Sequence, residues 1–213
     1  KLSRERVDGI AVRSHERAAA AIASGAFADQ IVPVPVYGAD GSVTLVDTDS
    51  GVRPGTSLDV LATLQSPFVE GGVIHAGNAS QISDGSAALL LMTPEKAREH
   101  GLRPIVRITH SVVVGVDPVT MLTGPIPATR KLLDRAGLSV ADIGAFEVNE
   151  AFASVIGAWE DEIGADPELL NVHGGAIALG HPLGASGARV MTTLVHHMRD
   201  AGVRYGVQAI CEG

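Results

Sequence analysis

Three positions carry side chains able to do acid–base or nucleophilic chemistry, each where an apolar run gives way to a loop or helix. The carboxyl ends of strands are the usual ligand side of α/β sheets, so these junctions are read first. Asn149-Glu150-Ala151-Phe152 follows Ala145-Phe146-Glu147-Val148. An asparagine there can orient a water or a substrate carbonyl, or it can simply cap a helix. The stretch from Gly174 to Gly187 holds five glycines in fourteen residues around one histidine, His181. Glycines permit tight turns and close backbone approach to a ligand, and histidine is the usual general acid, general base and oxyanion donor. Glycines ahead of a helix also suit a phosphate, but this spacing matches neither the dinucleotide fingerprint nor the Walker loop. Cys211 closes a third run, Val207-Gln208-Ala209-Ile210, with Gly213 two residues further on. An isolated cysteine is more often a small buried hydrophobe, while a strand end with a nearby backbone N–H donor also suits a reactive thiol. Asn149, His181 and Cys211 together satisfy a generic cysteine-enzyme constellation. Residue types alone do not separate hydrolysis from acyl transfer or carbon–carbon chemistry. The three side chains are expected to line one cavity at the ends of neighbouring strands.

The elements that must position them alternate between strand and helix. Ser86 to Met92 is a continuous apolar run of strand length, which predicts a strand covered on both faces. Ile105 to Val116, rich in β-branched residues, predicts a long strand. Phe146–Val148 and Tyr205–Ile210 predict two more. Helices are predicted at Pro94–His100, with proline in its first turn, at Pro127–Ala136 before Gly137, at Glu150–Ile163 and at Ala185–Arg199. This alternation indicates an α/β layered core. Upstream, residues 4–24 have helical apolar spacing, with Ser3 as N-cap and Gly25 after the end. Ile31–Val36 and Val43–Val46 are extended segments around the turn Gly38-Ala39-Asp40-Gly41, and Ser57–Leu64 is helical. Residues 1–80 hold many turn residues and no long apolar strand, and they read as an excursion over a surface rather than a self-sufficient core.

Composition narrows the function classes. The net charge of −8 without a basic run argues against a nucleic-acid partner. No apolar stretch spans a membrane, and no membrane partner is expected. Aromatics are only 3%, so the core must be built from Ala, Val, Ile and Leu. A single cysteine excludes an intrachain disulfide and any multi-cysteine metal site, and a reducing cytoplasm is the simplest compartment. The chain starts at Lys1 close to a helix and stops directly after an apolar run, which suggests a piece of a longer protein.

At these motifs the chain resembles the thiolases. The resemblance rests on His75-Ala76-Gly77-Asn78-Ala79-Ser80 leading into Asp84-Gly85, then Asn149-Glu150-Ala151-Phe152, then Asn171 to Gly187, then Cys211-Glu212-Gly213, four matches in the family's order. The resemblance implies an α/β, thiolase-like layered αβαβα fold, only partly represented. Residues 1–81 would be the end of the loop domain that covers coenzyme A (CoA). Residues 82–104 would return into the N-terminal core domain, and 105–213 would form the C-terminal domain without its last strand. The implied activity is that of an acyltransferase forming or cleaving 3-ketoacyl-CoA. Cys211 would be the base that takes the α-proton. His181 would activate the nucleophile and donate to the enolate oxygen. Asn149 would hold the water that shares that task, and the Gly213 N–H would serve the second oxyanion site. Arg53 would meet the adenine nucleotide end of CoA and Ser80 the pantetheine. Leu64, Phe68, Ala151 and Phe152 would be apolar walls, and Met121 would line the acyl pocket. His173 stands where the family frequently has Asn. CoA and acyl-CoA enter as substrates, no metal or redox cofactor is implied, and a homodimer or homotetramer is expected. The family's nucleophilic cysteine has no counterpart here, since the lone cysteine matches the base. Two other readings stay open: a non-catalytic CoA-binding or dimerising module, and a Cys-His-Asn hydrolase.

Overall fold

The structure, a computed structural model, describes residues 1–211. In chain order the elements are α1 (Arg4–Ser24), β1 (Val34–Tyr37), β2 (Val43–Val46), α2 (Leu58–Ala62), α3 (Pro94–Glu99), α4 (Pro125–Ala136), β3 (Ala145–Val148), α5 (Ala153–Ile163), α6 (Ala176–Leu179), α7 (Ser186–Ala201) and β4 (Gly206–Ala209). Local chemistry sets the helix ends. Ser3 Oγ accepts from the Arg6 N–H at the start of α1, and Gly25 closes that helix at φ 75°. Gly137 closes α4 in the same left-handed conformation, which glycine adopts without a Cβ penalty.

The centre of the fold is the parallel pair β3–β4, in register from Ala145 opposite Gly206 to Val148 opposite Ala209. On the other edge of β3, Phe146 bridges Leu170. Alternation along β3 divides its faces. Phe146 and Val148 join the apolar cluster with Ile156 and Trp159 of α5 and Leu133 of α4. Glu147 and Asn149 instead share a small cavity with residues of α7. Trp159 is fully buried, edge-on to Phe146 at 5.2 Å between ring centres. Its Nε1–H donates to Thr129 Oγ1 at 3.0 Å, and Thr129 donates on to Pro125 O at 2.8 Å, tying α5 to α4. Truncating such a residue to alanine costs about 3–5 kcal/mol.

Two expectations are corrected. Helix α1 is not an excursion over the surface, because its Val7, Ile10 and Ala11 lie in the same cluster as Phe146 and Trp159. Only the β1–β2 hairpin, with all eight residues exposed, fits that description. The runs 86–92 and 105–116 form no strand among the described residues, and Leu90 is 79% and Val113 89% exposed. Apolar and β-branched residues favour a strand only once a partner supplies the ladder and covers the face, and neither run has one here. No helix among the described residues is long and apolar enough to cross a membrane.

Candidate active site

The site is built on the carboxyl ends of β3 and β4. The Asn149 N–H extends the ladder to Ala209 O at 3.0 Å. Residues 149–152 then stay extended instead of entering a helix. Ser80 N–H donates to Ala151 O at 2.9 Å, Ala153 N–H donates to Asn78 O at 2.8 Å, and Ala79 bridges Phe152. Helix α5 therefore begins at Ala153 and not at Glu150 as expected, and Asn149 is no helix cap. Its side chain is 2% exposed, and neither amide atom has a hydrogen-bond partner among the described residues.

Glu150 anchors the turn after β3. Its carboxylate accepts from Ser14 Oγ at 2.6 Å, from the Ile177 N–H at 3.1 Å and from Asn171 Nδ2 at 3.1 Å. Burial raises its pKa, and these three donors oppose the rise. The side chain of Asn171, itself at φ 47°, also accepts from the Val148 N–H and donates to Val148 O, taking the place of a neighbouring strand. The glycines here serve close packing rather than a phosphate. A Cβ on Gly175 would stand 2.2 Å from the Glu150 carboxyl carbon, and one on Gly174 would stand 2.5 Å from Ser14 O.

His181 is held at backbone and ring. Its N–H donates to Gln81 O at 2.9 Å, and Gln81 Nε2 in turn donates to Gly51 O and Ile177 O. Its Nδ1 lies 2.6 Å from Ser186 Oγ, while Ser186 Oγ donates to Pro182 O at 3.1 Å. A hydroxyl has one proton. With that proton on Pro182 O, Ser186 accepts from Nδ1–H, so in a neutral ring Nε2 is the nitrogen without the proton. Such a nitrogen can take a thiol proton and afterwards donate it to an oxyanion.

Cys211 follows β4, 7% exposed. The parallel register carries Cys211 and Asn149 to the same end of the sheet. A cavity of about 10 Å³ lies beside Asn149, lined by Glu147, Asn149, Gly175, Gly180, Ser186 and Thr193 among others, and Cys211 is not in its lining. Of the three side chains expected to line one cavity, only Asn149 does; His181, like Cys211, is not in the lining, although Gly180 and Ser186 are and Cys211 lies at the same sheet end. Gly213 lies outside the described residues. Ser80, Ala151 and Phe152 meet through the backbone contacts described above. Leu64 packs beside Gly77, and Leu64 O accepts from Arg4. Arg53 is exposed, with its N–H on His15 Nδ1 at 3.1 Å. Phe68 and Met121 are exposed. Arg53, Leu64, Phe68 and Met121 do not line the cavity. Neither does His173, which stands edge-on between Phe27 and His197, with its pKa lowered by burial and by His197.

The turn 75–78 has a structural task. His75 Nδ1 accepts from the Gly77 N–H, so Nε2 carries the proton and donates to Asp8 Oδ1 at 2.7 Å. Asn78 Nδ2 donates to the same oxygen at 2.8 Å. All three side chains are buried, and they pin the turn to α1. Sequence reasoning missed Glu147, Glu150, Asn171 and Ser186 as individual contributors. The available signal was a pair of carboxylates bracketing Asn149 at the end of an apolar strand. Among the described residues no group of three His, Cys, Asp or Glu side chains is arranged to hold a metal.

Comparison with known proteins completes the picture. Residues 1–95 match the family model of the thiolase N-terminal domain, and residues 102–213 that of the thiolase C-terminal domain. The acetyl-CoA acetyltransferase of Shinella zoogloeoides is 47% identical over 213 residues, all of this chain and 54% of that protein. The steroid 3-ketoacyl-CoA thiolase of Mycobacterium tuberculosis is 50% identical over 212 residues, half of its own length. Among solved structures, the Bacillus anthracis acetyl-CoA acetyltransferase superposes with a TM-score of 0.96 at 42% identity, over all of this chain and 54% of that one. Human mitochondrial 3-ketoacyl-CoA thiolase in complex with CoA gives 0.89 at 37% identity, with 52% of its chain covered. The chain spans about half the length of the curated relatives it matches.

Proposed function

The chain belongs to the thiolase family and shares its α/β fold over its whole length, and on that premise we propose that it carries the carbanion-forming half of an acyltransferase that makes or cleaves 3-ketoacyl-CoA. In the synthetic direction, the nucleophilic cysteine is supplied by sequence that these 213 residues do not include. Its thiol loses a proton to His181 Nε2, and the thiolate displaces CoA from an acyl-CoA to leave an acyl-cysteine thioester. The departing CoA thiolate takes the Cys211 proton, and the Cys211 thiolate then takes a proton from the α-carbon of a second acyl-CoA. The resulting enolate oxygen is stabilised by His181 Nε2–H and by a water on the Asn149 amide. The carbanion attacks the thioester carbonyl, and the Gly213 N–H steadies the tetrahedral oxyanion until it collapses and expels the nucleophilic cysteine. What supports this reading is the β3–β4 register, which brings Asn149 and Cys211 to one sheet end, and the Ser186 hydroxyl, which contacts His181 Nδ1 and belongs to a residue lining the cavity beside Asn149. The His181–Ser186–Pro182 hydrogen bonds favour the neutral tautomer with its proton on Nδ1, which is the one the first step uses.

For substrate binding, Arg53 is assigned to the nucleotide end of CoA, Ser80 to the pantetheine, Leu64, Phe68, Ala151 and Phe152 to apolar walls, and Met121 to the acyl pocket. The complex of the human relative with CoA supports the ligand class. The proposed organisation remains 1–81 as the end of the CoA-covering domain, 82–104 as the return into the N-terminal core and 105–213 as the C-terminal domain. A cytoplasmic homodimer or homotetramer is the proposed setting.

The experiment is to incubate the complete protein with acetoacetyl-CoA and then locate the acyl group by mass spectrometry of peptides. The acyl group should sit on a cysteine other than Cys211. An acyl group on Cys211 would contradict this assignment and support the cysteine-hydrolase reading.

A further inference from the structure

The alternation of β3 leaves a polar row beneath the site. Phe146 and Val148 enter the apolar cluster, so Glu147 and Asn149 project from the opposite face, against α7. Glu147 is 4% exposed, and its Oε1 has no hydrogen-bond partner among the described residues. The same is true of Asn149 Nδ2 and Oδ1. Three buried, unpartnered polar atoms, on a residue of β3 and on the residue that follows the strand, therefore border a single cavity, and buried polar groups are seldom left unsatisfied. The cavity measures about 10 Å³, room for one water at most. Its lining supplies the two to four polar partners such a water needs: the Glu147 carboxyl, the Asn149 amide, and the hydroxyls of Ser186 and Thr193. Arg189, the cation in the same lining, is paired with Asp49 at 2.7 Å, and its charge lowers the Glu147 pKa against the larger rise from burial and from Glu150.

We propose that Glu147 is a positioning residue for Asn149: a single water in this cavity bridges the Glu147 carboxyl to the Asn149 amide and fixes which way the amide faces. The inference rests on the proposed function, in which the amide also holds the water that stabilises the enolate. A water donating to Asn149 Oδ1 from inside the cavity turns that oxygen inward. It leaves Nδ2–H, the donor, for the reaction side. The neutral acid form of Glu147 suits this arrangement, because it can both donate to and accept from the bridging water. Burial and the nearby Glu150 charge both favour that form.

The test uses the complete protein, with acyl loading and carbon–carbon bond formation measured separately. Glu147→Leu should lower kcat for condensation about tenfold, the effect of leaving one buried amide atom without its partner, with acyl loading and KM little changed. Glu147→Gln, which keeps shape and hydrogen bonding, should recover most of that loss. Combining Glu147→Leu with Asn149→Ala should be no worse than Asn149→Ala alone, because both act on one group. Fully additive losses would overturn the inference, as would undiminished condensation by Glu147→Leu in a protein that Asn149→Ala impairs. Undiminished condensation by Asn149→Ala would overturn the site reading itself, and the inference with it. A high-resolution crystal structure gives a check that no variant's folding can disturb. A water within 3.2 Å of both Glu147 and Asn149 is expected, and a cavity whose contents touch only one of them would overturn the bridge.

Discussion

Glu147, Asn149 and Glu150 lie within four residues, and the protein treats each differently. Glu150 is surrounded by donors that oppose the effect of its burial. Glu147 Oε1 has no hydrogen-bond partner among the described residues, and its pKa is raised well above the ordinary 4.5, first by burial and then by the Glu150 charge. A carboxyl with a raised folded-state pKa holds its proton more tightly folded than unfolded, so stability falls as pH climbs from the unfolded value toward the folded one. Glu147→Gln removes that dependence. In urea unfolding between pH 4 and 8, the variant should gain on the wild type steadily as the pH rises above 4.5. A stability difference independent of pH would show that Glu147 is ionised in the native protein. Asn149, His181 and Cys211 stand out in the sequence as candidates because their types and junction positions advertise chemistry. Glu147 does not, because a glutamate reads as solvated until the packing of α7 on β3 is known.

The elements explain why glycine is dense around His181. Gly175 carries no side chain because the Glu150 carboxyl fills that space. Gly175→Ala should destabilise the protein by about 1–3 kcal/mol through forced displacement of a buried, hydrogen-bonded group. Gly184, which has open space around a would-be Cβ and no positive φ, should tolerate alanine within about 0.5 kcal/mol. Chemical denaturation of both variants measures the contrast, and equal costs would mean that the glycines serve flexibility rather than packing. Elements with local signals were read correctly from sequence: α1 between Ser3 and Gly25, α4 before Gly137, and the short strands at 145–148 and 206–209. The start of α5 was misread because the backbone at 149–152 pairs with residues 78–80, a partner distant in sequence. The runs 86–92 and 105–116 were misread for the complementary reason. Strand propensity is local, but a strand is a property of two segments.

At the scale of the molecule, α1, the turn at 75–78, the glycine loop and the β3–β4 pair form one structure around one sheet end. Asp8 clamps the turn to α1, Ser14 joins α1 to Glu150, and Gln81 ties the chain after that turn to α6 and His181. Residues matching both thiolase domain models thus meet around one sheet end. In this account the chain's own contribution is carbanion formation, with acyl loading resting on a cysteine outside it. The most direct test is Cys211→Ala in the complete enzyme, followed by acyl-enzyme formation and condensation in the same preparation. The acyl-enzyme should still form while condensation falls by about 10²–10⁴-fold, the usual contribution of a positioned base. Condensation at the wild-type rate, or loss of acyl loading with condensation from preformed acyl-enzyme intact, would contradict it.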